Sequence, residues 1–136
     1  MPRIIGIDYG MKRTGIAITD ELQIAVHPYK TVPSKDLMEI LLNYLNEEEV
    51  ELIVFGYPTH SDGTPTHLTK KINQICLELQ KNVEIEIKFQ DEAFTSVEAK
   101  EIMIQGGMKK KKRRDKSVVD LISSVLILQR YLKHIP

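Results

Sequence analysis

The sequence has one cysteine, no tryptophan and no long apolar run. A single cysteine, Cys76, excludes an internal disulfide framework and any zinc site built from several cysteines. No apolar run approaches the roughly 20 residues that a membrane-spanning helix needs. The start, Met1-Pro2-Arg3, lacks the apolar segment of a secretion signal. We therefore expect a cytoplasmic protein in which Cys76 is a small buried residue.

The sequence also carries no net charge. Nineteen lysines and arginines balance nineteen aspartates and glutamates, so the total charge indicates no class of partner. With 42% hydrophobic and 28% charged residues, the composition is that of a globular protein. A length of 136 residues suits one domain with a full core. We expect residues 1–136 to form a single domain.

The first third of the chain is rich in β-branched residues. Three such segments, Arg3–Asp8, Thr14–Thr19 and Ala25–Val32, are separated by short links. This spacing predicts an antiparallel meander of three strands. Pro28 places the third strand at the sheet edge or at a bulge, because proline cannot donate a hydrogen bond to a neighbouring strand.

Helices and strands alternate in the rest of the chain. The predicted elements are a helix capped by Ser34, a strand over Val50–Gly56, a helix around Leu68–Leu79, a strand over Val83–Phe89, a helix capped by Thr95 or Ser96 that stops at Gly106-Gly107, and a helix over Ser117–Leu132. A meander followed by crossover helices predicts an α/β fold, with a mixed sheet and helices on both faces.

Carboxylates lie at the ends of several predicted elements. Asp8 closes the first strand, Asp91 and Glu92 follow the last strand, and Asp120 lies in the first turn of the last helix. Each also has an ordinary explanation, as a turn residue, a helix cap or a partner of the helix dipole. Because neighbouring side chains on a strand point in opposite directions, only one of Asp91 and Glu92 can face Asp8 directly. Asp91 either assists Glu92 or caps the next helix.

Three carboxylates from separate elements can bind hard cations such as Mg²⁺ or Mn²⁺. Two such ions stabilise the attacking and the leaving oxygen when a phosphodiester bond is hydrolysed. No arrangement of serine or cysteine with histidine competes with this interpretation. The candidate metal-binding and catalytic residues are Asp8, Glu92 and Asp120.

A strongly basic segment precedes the last helix. It contains seven cations and one anion, Lys109, Lys110, Lys111, Lys112, Arg113, Arg114, Asp115 and Lys116. Such a run is often only a solvated loop. Here it adjoins the helix that carries Asp120, and clustered cations bind phosphate backbones. We favour a contact with nucleic acid.

Four groups of residues, in order along the chain, together resemble the YqgF family, relatives of the RuvC-type Holliday junction resolvases. They are Ile7-Asp8-Tyr9-Gly10 with Arg13-Thr14-Gly15-Ile16-Ala17, Phe55-Gly56-Tyr57-Pro58 with Asp62-Gly63-Thr64, Asp91-Glu92 with Thr95-Ser96 and Glu98-Ala99, and Lys116 with Asp120 and Ile127–Leu132. The groups span nearly the whole chain, and their combination is more specific than any single one.

The resemblance implies a ribonuclease H-like fold with three antiparallel strands followed by two parallel strands. It implies a nuclease that matures the 5′ end of the small-subunit (16S) ribosomal RNA precursor. By position, Asp8, Glu92 and Asp120 become the metal-binding carboxylates, and Arg13 and Lys116 become phosphate contacts. The sequence departs from the family at Ala93, where the family usually has an arginine. The basic run would then supply the missing phosphate contact, or binding would be weaker.

Three functions remain open on the sequence alone. The first is a metal-dependent endonuclease that acts on ribosomal RNA precursor, as a monomer or a weak homodimer. The second is a Holliday junction resolvase, which needs two active sites in one complex and hence a stable symmetric dimer. The third is a binding module that docks on ribosomal RNA or on a protein of the ribosomal particle without cutting, a view that Ala93 encourages.

Overall fold

The computed structural model describes residues 2–58, 66–91, 95–109 and 115–135. Its strands are β1 (Arg3–Tyr9), β2 (Arg13–Thr19), β3 (Val26–Pro33), β4 (Val50–Tyr57) and β5 (Glu86–Asp91). Its α-helices are α1 (Leu37–Glu47), α2 (His67–Asn82), α3 (Thr95–Gln105) and α4 (Lys116–Tyr131), and a 3₁₀ turn over Ser34–Asp36 precedes α1. The predicted order of elements is confirmed.

The strands form one mixed sheet in the order β3-β2-β1-β4-β5. β1, β2 and β3 pair antiparallel, and β4 and β5 run parallel to β1. β3 lies at the edge, and the register of its pairing with β2 shifts between Ile16 and Ala17, where Pro28 is the partner of Ala17. The predicted fold class and the edge position of the strand with Pro28 are therefore confirmed.

Each face of the sheet carries its own apolar core. Side chains alternate along a strand, so Ile5 and Ile7 of β1 pack with α1 and α2, whereas Ile4 packs with Ile127 and Leu128 of α4. A third cluster joins α3 to α4. Helices thus cover both faces, and β1 is buried between them.

The single cysteine is a core residue. Cys76 is buried in the core under α2, as expected, and burial raises the pKa of its thiol from 9.0 to about 12. This thiol is therefore almost entirely protonated and unreactive at neutral pH. Within the described ranges, no helix combines the length and the apolar character needed to cross a membrane.

The structure corrects three local predictions. Ser34 does not cap α1, because the 3₁₀ turn that begins at Ser34 comes before the helix. The N-cap of α1 is Asp36, whose side chain makes no capping hydrogen bond. β5 runs from Glu86 to Asp91 rather than from Val83, so Asp91 is its last residue instead of following it. The helix α3 includes Thr95 and Ser96, which were predicted as alternative caps.

Candidate active site

The carboxyl ends of three parallel strands lie along one edge of the sheet. The parallel strands β1, β4 and β5 end there at Tyr9, Tyr57 and Asp91, and Tyr57 is in register with Asp91. We call it the carboxyl edge. Ligands of open α/β sheets bind outside the carboxyl ends of the strands.

Asp8 lies on the α4 face of β1, close to this edge. Gly6, two residues earlier on the same face, lies so close to Ser124 and Leu128 that a Cβ there would be 2.8 Å from the Cβ of Leu128. Asp8 is only 8% exposed. A buried carboxylate is costly unless it is paired or binds a cation, so its environment suits a functional role better than that of a simple turn residue.

The first turn of α4, which carries Asp120, contacts β2 near the same edge. Gly15 is the direct partner of Asp8 in the pairing of β1 with β2. A Cβ on Gly15 would lie 2.1 Å from the backbone oxygen of Asp120, so the first turn of α4 rests on this glycine. The backbone of Asp120, in the helix above the sheet, therefore lies against the strand partner of Asp8.

Arg13 forms an ion pair with Asp120. Its Nε lies 3.3 Å from Asp120 Oδ2, and the side chains are 39% and 24% exposed. Burial raises the pKa of Asp120, and the hydrogen bond and charge of Arg13, with the charge of Lys116, offset part of this rise. Perturbed carboxyl groups of this kind are concentrated at functional sites.

The turn after Asp8 is held by hydrogen bonds. Gly10 N donates to Arg13 O at 3.0 Å, which closes the link between β1 and β2. The Ser34 hydroxyl donates to Gly10 O at 2.5 Å and lies 2.8 Å from Thr14 Oγ1. Ser34, expected to cap a helix, instead fixes the backbone beside the site.

Asp115, expected only as the one anion of the basic segment, also contributes to the geometry of the site. It is the N-cap of α4 and accepts a hydrogen bond from Ser117 N at 2.9 Å. The bonds from the hydroxyl and the backbone of Ser117 lower the pKa of Asp115. The signal was present, since aspartate just before a helical pattern is a preferred N-cap. This cap orients the turn that carries Asp120.

Several predicted site residues are not described. Glu92 and Ala93 lie outside the described residues, and so do the basic residues Lys110, Lys111, Lys112, Arg113 and Arg114. Asp91 is exposed at the end of β5, and Lys109 and Lys116 are exposed beside that basic run. Within the described ranges, no group of three acidic, histidine or cysteine residues could hold a metal ion. Among the described site residues, Arg13 pairs with Asp120, whose backbone lies against Gly15, the strand partner of Asp8.

Comparison with known proteins gives consistent matches. The family model described as RuvX, Holliday junction resolvase, matches residues 2–134. Two relatives share the name "Putative pre-16S rRNA nuclease". The protein of Phocaeicola vulgatus is 43% identical over 98% of this chain and 96% of its own length. The protein of Parabacteroides distasonis is 45% identical with the same coverage.

Solved structures match in fold at low sequence identity. Thermus thermophilus RuvC in complex with a Holliday junction substrate gives a TM-score of 0.59 at 15% identity and covers 97% of this chain and 96% of its own. The fowlpox virus Holliday junction resolvase gives a TM-score of 0.56 at 13% identity and covers 98% of this chain and 99% of its own. The sheet order and the flanking helices are thus those of the ribonuclease H-like resolvases.

Proposed function

This chain belongs to the RuvX family, and we propose that it is an endonuclease that hydrolyses phosphodiester bonds at the 5′ end of the 16S ribosomal RNA precursor. The family match agrees with the resemblance drawn from the sequence. The name shared by relatives that are 43% and 45% identical over nearly the full length supports the RNA substrate.

The observation that carries the proposal is that Gly15, the strand partner of Asp8, lies against the backbone of Asp120 at the carboxyl edge. Asp8 is buried and Asp120 half-buried, and they come from elements that the chain separates by more than a hundred residues. Removing a carboxylate from water costs stability unless a cation or hydrogen bonds compensate for it. Such a cost is typical of a site retained for its chemistry. We assign Glu92, after β5, as the third carboxylate.

The donors fit a divalent cation. Asp8 and Asp120 offer carboxylate oxygens, which Mg²⁺ and Mn²⁺ prefer, and the desolvation of Asp120 favours a cation beside it. We propose that Asp8, Glu92 and Asp120 hold Mg²⁺ or Mn²⁺, as two ions, with Asp91 as an auxiliary ligand. When bound, the cations supply positive charge to the phosphodiester group that is cut.

The basic residues position the nucleic acid. Arg13 lies beside Asp120 at the edge, and its guanidinium group suits a phosphate oxygen. We propose that Lys116, with the basic run that starts at Lys109, binds neighbouring phosphates and so compensates for Ala93. The chain then acts as a single ribonuclease H-like domain in the cytoplasm, as a monomer or a weak homodimer.

A cleavage assay tests this function. The substrate is an RNA that spans the 5′ end of the 16S sequence in its precursor, with Mg²⁺, with Mn²⁺, and with EDTA. We expect cutting with metal and none with EDTA. Failure of folded protein to cut under any metal, together with salt-sensitive RNA binding that persists in EDTA, would replace the nuclease with a binding module.

The family description favours one second candidate, resolution of DNA junctions. The same carboxylates can cut either polymer, so the substrate must decide. A four-way DNA junction is assayed beside the RNA under identical conditions, and the mass of the protein in solution is measured. Preferential cutting of the junction by a stable dimer would favour the resolvase.

A further inference from the structure

A cleft between α1 and α2 opens on the face of the sheet opposite Asp8. Its volume is about 250 Å³, and buried Tyr9 and Leu37 form part of its lining. Small-molecule sites usually measure roughly 300–1,000 Å³. This cleft is therefore of a size to accept one small group of a larger ligand.

The polar lining of the cleft is mainly cationic. Lys35 and Lys71 line it with Ser34 and Gln74, and Glu78 is its one acidic side chain among the described residues. Both lysines are exposed, and neither is within ion-pair distance of a carboxylate in the described part of the chain. The cleft thus has two available positive charges against one negative charge, which favours an anion.

The position of the cleft connects it with the candidate active site. Tyr9 follows Asp8 on β1, so the two side chains point to opposite faces of the sheet at the same edge. Lys12 is exposed in the turn between β1 and β2. Ser34 N, in the cleft lining, donates to Lys12 O at 2.9 Å, so the turn that carries Lys12 and precedes Arg13 borders the cleft.

We propose that this α1–α2 cleft binds a backbone phosphate of the nucleic-acid substrate, a few nucleotides from the bond that is cut. Lys35 and Lys71 neutralise the phosphate, and the Gln74 amide is available as a hydrogen-bond donor. Such a contact gives register and affinity without reading the base sequence. The proposal rests on the proposed function only in taking the ligand to be a nucleic acid.

The salt dependence of RNA binding tests this contact. Affinity for a single-stranded RNA from the 5′ precursor region is measured in EDTA, where cleavage plays no part, over a series of salt concentrations. The logarithm of affinity falls with the logarithm of salt by about 0.7 for each phosphate neutralised on a single strand. The double variant Lys35→Gln, Lys71→Gln is expected to lower this slope by about 0.7, the value for one phosphate, and to weaken binding several-fold.

Two matched variants separate this effect from a general loss of charge. The control Lys81→Gln, Lys133→Gln removes two exposed lysines at the opposite edge of the molecule and should leave the slope unchanged. Glu78→Gln removes the acidic group from the cleft and should strengthen binding. An effect in this direction cannot come from misfolding.

The proposal is overturned if the cleft variant keeps the parent slope, if the control pair lowers it equally, or if Glu78→Gln weakens binding. It is also overturned if the parent protein binds no RNA in EDTA. Cleavage is measured separately. A changed slope in a protein that cuts nothing would support the cleft and reject the nuclease.

Discussion

At the scale of the residue, the charge of Asp120 is balanced between opposing influences. Desolvation disfavours its carboxylate, whereas Arg13 at 3.3 Å and the charge of Lys116 favour it, and the net result is a raised pKa. In the free protein the ionised form of Asp120 therefore lowers stability. A divalent cation would reverse this, because it compensates the charge that burial leaves unfavourable.

The raised pKa of Asp120 predicts how stability changes with pH. The folded protein retains the Asp120 proton at pH values where the unfolded chain, with an ordinary value of 3.8, has released it. The associated stability is present below pH 3.8 and is lost as pH rises through the folded pKa. Asp120→Asn should therefore be more stable than the parent at pH 7, and this advantage should shrink toward pH 3.

Urea denaturation of both proteins in EDTA at the two pH values measures the difference. The same variant should lose cleavage, as expected of a residue whose function conflicts with stability. A variant that is less stable at pH 7 and that recovers toward pH 3 would mean that the ion pair with Arg13 outweighs desolvation.

At the scale of the element, the site depends on how closely α4 approaches the sheet. Gly6 of β1 and Gly15 of β2 leave no side chain between strand and helix, and α4 lies against them through Leu128, Ser124 and the backbone of Asp120. Close approach places the backbone of Asp120 against Gly15, the strand partner of Asp8. The spacing of strand and helix at these two glycines therefore determines the geometry of the site.

Gly15→Ala tests that contact. The added methyl group would lie 2.1 Å from the backbone oxygen of Asp120, so the first turn of α4 must move away. We expect a loss of about 2–3 kcal/mol in the free energy of unfolding and a large fall in cleavage. Gly106→Ala, where the nearest non-neighbouring atom is the backbone oxygen of Ile102 at 3.3 Å, is the control and should lose less. Equal losses would show that the contact at Gly15 is not specific.

The buried face of α4 carries a hydroxyl group that forms no hydrogen bond with the described residues. Ser123 is fully buried, and its hydroxyl has no hydrogen-bond partner within the described part of the chain. A buried unsatisfied polar group costs about 1–3 kcal/mol. Ser123→Ala should therefore raise the free energy of unfolding by about 1 kcal/mol.

Ser124→Ala is the matched control for this prediction. The Ser124 hydroxyl donates to Leu121 O at 2.6 Å, so its removal should be neutral or should cost about 0.5–1 kcal/mol. Urea denaturation compares the two variants with the parent. If Ser123→Ala is the destabilised one, its hydroxyl has a partner beyond the described residues.

At the scale of the whole molecule, the sequence predicted the architecture better than the contacts. The meander, the crossovers and the edge strand with Pro28 follow from local periodicity and from the chemistry of proline, and all were confirmed. The ion pair of Arg13 with Asp120 was not predicted, because it joins residues 107 positions apart and depends on the packing of α4. The role of Ser34 differed because the 3₁₀ turn directs its hydroxyl to the neighbouring hairpin.

The site was predictable to the extent that strand polarity determines it. Asp8 ends a strand, and parallel strands bring their carboxyl ends together, so a site at this edge could be inferred without coordinates. The approach of Asp120 depends on Gly15, whose contact with the helix has no local signal in the sequence. The α1–α2 cleft likewise depends on how two helices pack on the sheet.

Cleavage by Asp8→Asn protein tests the central claim most directly. Asparagine keeps the shape of the side chain but removes its charge, so the variant should fold normally while its rate of metal-dependent RNA cleavage falls by at least about a hundredfold. Glu84→Gln, which neutralises an exposed acid after α2, is the control and should cut at the parent rate. Cleavage at the parent rate by well-folded Asp8→Asn would contradict the assignment of the active site.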